Sequence, residues 1–425
     1  MEEVTRRSEG WPVWLGVLVV SAVLVVATGC DAPECAHGDY GASECRVAAE
    51  NHYARLVTST GLDVRFGLPD SEDASSWVAG GLVEELGPDQ LRIRPAGLMG
   101  FTLSIDPRDR EVDAVIELVL DNVADDVVLR FGPAGLEQAL APSSTPGVGR
   151  RVSVTLPSGQ VSWLRGERPC PSDYTILAAG DVQTGQLQFE RIVRALHEEV
   201  EAGEVAGRPV LGLLLLGDLA EHPVEAELRQ VEDILRSSPI PVAVVPGNHD
   251  VHGDELAVYN RVFGPGNYAF SACRTRVAML DTGSGDLAAS IQARLPDLLD
   301  RTSHDFLIAG THYPAYPGRT GNGMADADSA WLLLSELERH EADVLVAGHY
   351  HTWLDFPAVP VAAGSVHQLL SGTLGANQGV GYAHFGVTRL QFAGDELTTC
   401  FSEIPAPGLP EDSVGGGGSI IRFCD

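Results

Sequence analysis

The chain has 425 residues, 44% of them apolar, enough to bury sizeable cores in two domains at about 100 to 200 residues per domain. Its formal net charge of -31 excludes nucleic acid as a structural partner, because a polyanion has to be met by clustered basic side chains. Lysine is absent, so chemistry that needs a phosphate-loop lysine or a lysine Schiff base is excluded as well.

The chain opens with MEEVTRRSEG, followed by an apolar run from Trp11 to Ala27 that leads to small residues and Cys30. This reads as an export signal rather than as structure. Ala27, Thr28, Gly29 and Cys30 resemble the lipobox of bacterial lipoproteins. That resemblance implies cleavage before Cys30, a lipid on its sulfur, and a place in the cell envelope, outside the cytoplasm and tethered to the lipid bilayer. The other reading is an uncleaved anchor helix, since the run approaches the roughly 20 residues that cross a bilayer. Six cysteines then remain: Cys35, Cys45, Cys170, Cys273, Cys400 and Cys424. An even number in an exported chain points to disulfides, with Cys35 and Cys45 spaced for a local clasp and the other pairings left open. No close CxxC pair suggests a zinc cluster.

From residue 30 to 168, stretches such as LRIRPAGLMGFTLSID, AVIELVLDNV and RRVSVTLPSGQVSWL alternate apolar and polar residues between Gly, Pro, Asp and Asn. The pattern predicts a small β-rich domain, a sandwich being the favoured form, with His37 and His52 on its surface. After PCPSD at 169–173 the rhythm changes. Continuous apolar runs, YTILAAGD, LGLLLLGD, PVAVVPGNHD, DFLIAGTH and DVLVAGHYH, alternate with helical patterns such as LQFERIVRALHEEV, where Phe189, Ile192, Val193, Leu196 and Val200 share a face. Further helices are expected near 287–300 and 325–340. Such alternation predicts βαβ units, an α/β domain over 169–405 whose sheets are covered by helices. Antiparallel strands are expected from about 366 to 403, and a Gly-rich tail occupies 406–425.

Asp181, Asp218, Asn248, His312 and His349 each stand directly after a predicted strand. Carboxyl ends of strands line the crevice of α/β sheets, so five runs deliver polar residues to one pocket. Singly, such an aspartate reads as a helix cap and such a histidine as a core residue. Five in register, two of them inside GNHD and GHYH, point to a site instead. In the order GDVQ, GDLAE, GNHD, THYP and GHYH, these motifs resemble the calcineurin-like metallophosphoesterases over about residues 172 to 403. The resemblance implies a fold of two packed mixed β-sheets flanked by helices, and hydrolysis of a phosphate ester by a dinuclear metal site with a bridging hydroxide as nucleophile.

Two cations about 3.5 to 4 Å apart can clamp a phosphoryl group and acidify a shared water, which takes a bridging carboxylate and imidazole and oxygen donors around each ion. By resemblance Asp218 is the bridge, Asp181, Gln183 and His351 complete the first metal, and Asn248, His312 and His349 the second. His249 faces the scissile phosphate as general acid, with Glu221 as its acidic partner; Asp250 reads as a local cap. Gln183 stands where the family usually has histidine. An amide oxygen would favour harder ions there, so manganese or iron is expected before magnesium or zinc, with the first position the weaker. Arg319, in the loop YPAYPGRTGNG, is a candidate contact to a substrate anion; a solvated surface loop is the alternative. The motifs locate metals and phosphate but not the leaving group, so monoester, diester, nucleotide and phospholipid substrates stay open. The alternative function is a binding or structural envelope lipoprotein whose metal site has lost turnover.

Overall fold

The structure is a computed structural model and describes residues 42–67, 80–108, 110–141, 143–144, 147–201, 208–252, 257–318, 321–376, 385–404 and 424. The leader, Cys30, Cys35, His37, Arg319 and the GGGGS tail lie outside the described residues. Among the described residues no helix is long and apolar enough to cross a membrane.

The early segment forms two sheets packed face to face. A six-stranded sheet runs in spatial order through the strands that begin at Arg55, Asp63, Phe101, Ser162, Val128 and Gln138. A five-stranded sheet runs through those that begin at Gly81, Gln90, Ala114, Arg150 and Ser143. Strand Arg150–Leu156 shows why: its burial alternates residue by residue, so Val152, Val154 and Leu156 meet Ile93, Leu103 and Leu118 in a core between the sheets. One element breaks the predicted pattern. Ala42–Tyr53 is an α-helix, and the residues it buries, Ser43, Arg46, Ala49 and Glu50, include two charged side chains.

The second half is a metallophosphoesterase-type α/β fold with two mixed sheets. The five-stranded sheet orders Val242–Val244, Val210–Leu215, Tyr174–Ala179, Gly386–Ala393 and Glu396–Glu403; the first three are parallel and the last two antiparallel. The six-stranded sheet orders Tyr268–Ala272, Thr275–Met279, Phe306–Thr311, Val344–Ala347, Ser365–Ser371 and Trp353–Pro360, parallel in its centre and antiparallel at both edges. Alternate residues of each strand serve different layers. Ile176 and Ala178 face Val277, Met279, Ile308 and Val346 between the sheets, while Leu177 and Ala179 face the helices outside. Burial on both faces is why these strands read as unbroken apolar runs.

Helix Gln186–Glu201 covers the first sheet with Phe189, Ile192, Val193 and Leu196, each fully buried side chain contributing about 1.5–3 kcal/mol. Val200, expected on that face, lies in the last turn and is exposed. Helix Ala327–Arg339 covers the second sheet with Leu333, Leu334 and Leu337. In place of one helix near 287–300 there are two short ones, Ala289–Gln292 and Leu295–Leu298, the second with proline in its first turn.

The sandwich is joined to the α/β half by polar side chains. Asn122 donates to the carbonyls of Pro95 (2.8 Å) and Val242 (2.9 Å) and accepts from the Val242 amide (2.7 Å). Arg92 pairs with Asp121, Glu84 and Glu232. Cys170 is disulfide-bonded to Cys273, Cys400 to Cys424, and Cys45 is disulfide-bonded as well.

Candidate metal centre

Both sheets deliver the predicted polar residues to one place, because the parallel strands all point their carboxyl ends the same way. Main-chain hydrogen bonds lace the loops that follow: Asp181 N–H to the Gly217 carbonyl (3.0 Å), Gln183 N–H to the Asp218 carbonyl (3.0 Å), and Gly348 N–H to the His312 carbonyl (3.0 Å). Gly247 is required by closeness. A Cβ there would overlap the Asp218 carboxylate and main chain and come within 2.8 Å of the His312 ring.

Among the described residues nine non-glycine residues have left-handed backbone, and five are predicted metal ligands: Asp181 (φ 66°), Gln183 (φ 43°), Asp218 (φ 53°), His349 (φ 73°) and His351 (φ 50°). That conformation costs on the order of 1–3 kcal/mol each for residues with a Cβ and concentrates at functional sites.

Asp218, His312 and His349 form one group whose ligand atoms lie within 4.8 Å of one another, and Asp181, Asp218 and His351 form a second, sharing Asp218. In the first group, His312 Nδ1 lies 2.8 Å from the Leu216 carbonyl, so Nδ1 carries the proton and Nε2 is bare. That bare nitrogen faces Asn248 Oδ1 at 3.0 Å and Asp218 Oδ1 at 3.4 Å. His349 Nδ1 stands 3.1 Å from Asn248 Oδ1 and 3.2 Å from His312 Nε2, and its buried Nε2 has no hydrogen-bond partner. Lone pairs therefore converge with too few protons to share, a donor set that a cation satisfies. Burial, and then the neighbouring His312, pushes His349 down to about 3, and burial pushes His312 down too, so both rings are neutral and able to ligate.

The carboxylates fit a cation as well. Asp181 and Asp218 are almost wholly buried, and among the described residues neither is paired with an arginine. Burial and the Asp218 charge hold the Asp181 carboxyl well above the usual range. Burial alone would raise Asp218 too, but His312 and the His249 backbone N–H outweigh it and lower it. Two buried acids side by side repel one another when both are ionised, and a cation bound between them would relieve that repulsion.

Gln183 differs from the expectation of an oxygen donor. Its amide nitrogen, not its oxygen, faces inward, donating to Asp218 Oδ2 at 2.8 Å with His351 Nε2 3.3 Å away. Glu221 meets His249 through its main chain first. The His249 ring is held through Nδ1 by the main-chain carbonyl of Glu221 (2.9 Å), while the Glu221 carboxylate stands 4.0 Å off. His249 is itself only half-buried, with its backbone N–H on Asp218 Oδ1 at 2.9 Å. Asp250 is a cap, as read, but a central one. Its carboxylate accepts from Leu219, Ala220 and Gly247, stitching the GDLAE loop to the GNHD loop.

A supporting layer escaped the sequence reading. Thr282 Oγ1 accepts from the backbone N–H groups of His312 (3.2 Å) and Tyr313 (2.9 Å), which sets His312. The neighbouring Asp281 is gripped by Arg46 of helix Ala42–Tyr53, Nε to Oδ2 at 2.6 Å and Nη2 to Oδ1 at 2.9 Å, and Arg46 Nη1 reaches Ser284 Oγ at 3.0 Å. The available signal was VAMLDT itself, another strand that ends in polar residues. Tyr313 packs its ring 4.1 Å from that of His349.

The fold is of metallophosphoesterase type. Residues 174–353 match the family model of the calcineurin-like phosphoesterases. No curated protein matches the chain. Among solved structures, a purple acid phosphatase from yellow lupin (Lupinus luteus) seeds is similar at 13% identity, covering 72% of this chain and 70% of that one, with a TM-score of 0.44. PhoD is similar at 10% identity over 72% of this chain and 86% of that one, TM-score 0.42. A dimetal phosphatase from Danio rerio is similar at 14% identity over 54% of this chain and 96% of that one, TM-score 0.40.

Proposed function

We propose that the chain is a metal-dependent phosphoesterase with two metal positions, acting outside the cytoplasm while anchored to the envelope membrane through Cys30. The observation that carries the reading is the convergence of nitrogen and oxygen ligand atoms from Asp181, Asp218, Asn248, His312, His349 and His351 at the strand ends, four of them, Asp181, Asp218, His349 and His351, on left-handed backbone. Asp218 would be shared by the two positions; Asn248, His312 and His349 would complete one, and Asp181 and His351 would serve the other beside Gln183. Cations bound there would supply Lewis-acid polarisation of a phosphoryl oxygen and a water acidic enough to attack at neutral pH, with manganese or iron favoured.

The remaining steps belong to the chain's own groups. With Nδ1–H committed to the Glu221 carbonyl, the His249 ring is left with Nε2 as the atom from which it would pass a proton to the leaving oxygen. The Glu221 carboxylate stands 4.0 Å from Nδ1, on the side of the ring away from that proton's path. Neutral His312 and His349 would be free to ligate, and Asp181 and Asp218 would supply the negative charge once cations are bound.

The test is hydrolysis of a chromogenic phosphodiester and a chromogenic monoester by the purified full chain with Mn²⁺, beside Asp218→Asn and His249→Ala. Activity that falls at least about 100-fold in both variants supports the reading, and the faster ester sets the substrate class. Wild type no faster than Asp218→Asn on either ester would move the reading to a metal-binding envelope lipoprotein without turnover.

A further inference from the structure

We infer that the two metal positions are unequal and fill in order, and that Gln183 is the residue that makes them so. This rests on the two-metal reading above and deepens it. A cation binds tightly among Asp218, Asn248, His312 and His349, and weakly and exchangeably among Asp181, Asp218 and His351.

The difference lies in what each position offers. Around the tight position every group can present a lone pair: His312 Nε2 is bare, Asn248 turns its carbonyl oxygen inward, and His349 Nδ1 completes the set within 3.2 Å of both. Around the other, Gln183 presents hydrogens. An amide nitrogen has no lone pair to give, because it is delocalised into the carbonyl, so its two N–H groups point where a ligand should. One is spent on Asp218 Oδ2, the oxygen turned toward this position. The amide thus supplies part of the positive polarity that a cation would otherwise bring, and it competes for the same carboxylate.

Gln183 cannot simply step aside. Its backbone is left-handed and its N–H is bonded to the Asp218 carbonyl, while the side chain is buried against Asp218 and His351. What it can do is rotate its terminal amide to bring Oε1 inward. That rotation breaks the bond to Asp218 Oδ2 and places two oxygen atoms face to face, which is tolerable only after a cation has arrived. Loading of this position therefore carries an added cost that the other position does not. An imidazole at 183 would carry none, and neither would a water in the space left by a small side chain.

The experiment uses the full chain, stripped with a chelator and titrated with Mn²⁺. Calorimetry gives affinities, elemental analysis after gel filtration gives the metal retained, and electron paramagnetic resonance separates isolated from coupled Mn²⁺. Wild type should retain one Mn²⁺ per chain, with an uncoupled signal, and take up a second at least about tenfold more weakly. Gln183→His should retain two, with a coupled signal. Gln183→Ala should bind the second ion no more weakly than wild type, since it removes an obstacle; a ligand lost would weaken it. Two equal ions in wild type, a weaker second ion in Gln183→Ala, or an unchanged gap in Gln183→His would each overturn the inference and leave the metal reading standing. Retention of no Mn²⁺ by wild type and Gln183→His alike would overturn the metal reading with it.

Discussion

Arg46 should be among the most costly single residues to lose, although it lies outside the stretch that carries the site motifs. Its side chain is fully buried, as is the Asp281 side chain it grips through two nitrogens. Arg46→Met keeps the volume and removes the charge. It strands the Asp281 carboxylate in the interior near Glu50, a buried acid that already feels the Asp281 charge. Breaking one side of a buried pair costs about 3–5 kcal/mol, whereas removing both charges costs far less. Arg46→Met should therefore lower the thermal midpoint by roughly 5 °C or more, with Arg46→Met/Asp281→Asn recovering at least half of the loss. Because Thr282 follows Asp281 and holds the His312 backbone, the single variant should also bind Mn²⁺ more weakly. Differential scanning calorimetry of the chelated chain, followed by Mn²⁺ titration, reads both. A loss under about 1 kcal/mol, or a double variant no better than the single, would refute the reasoning.

Two other perturbations test the site and its surroundings. Gly247→Ala drives a methyl group into the Asp218 carboxylate, so Mn²⁺ binding and hydrolysis should fall at least about 100-fold with an unchanged circular dichroism spectrum; retained activity would show that the loops can part. Glu50 is pushed up from 4.5 to about 8, by burial first and the Asp281 charge second, against three accepted hydrogen bonds from Gly266 and Asn267. A folded-state value above the unfolded one means that its stabilisation is complete below about pH 4.5 and lost as pH rises towards 8, up to roughly 5 kcal/mol in all. Glu50→Gln should then melt like wild type near pH 5 and above it near pH 9; a difference that does not grow with pH would exclude this group as the source.

What could be read in the sequence follows from which forces write themselves into local pattern. The α/β strands were legible because burial on both faces demands unbroken apolar runs, as in Tyr174–Ala179. The sandwich was legible because one-sided burial demands alternation, as in Arg150–Leu156. Helix Ala42–Tyr53 was not. It turns Arg46 and Glu50 inward, so a hydropathy pattern points its buried face the wrong way, and only the partners supplied 217 to 235 residues later make those charges acceptable. The same limit applied within the site. That Gln183 and His249 would approach Asp218 and Glu221 followed from motif order, but not which amide atom would face inward, nor that a main-chain carbonyl would hold the His249 ring. Those depend on side-chain torsions, which spacing does not encode.

The strain at the strand ends joins these observations. A carboxylate placed at the end of a buried strand could have faced solvent with relaxed backbone, and the chain instead holds Asp181 and Asp218 left-handed and buried. Each feature alone destabilises the fold by on the order of 1–3 kcal/mol, and the loops tolerate them only because they are bonded to one another, Asp181 N–H to Gly217, Val182 and Gln183 N–H to Asp218, Ala376 N–H to Asp181. Two sheets with their parallel strands aligned make that lacing possible, since neighbouring strand ends fall within a hydrogen bond of each other. The core therefore does more than exclude water. By fixing where the strands stop, it brings sequence positions 170 residues apart, Asp181 and His351, to within 3.6 Å of each other between their nearest side-chain atoms.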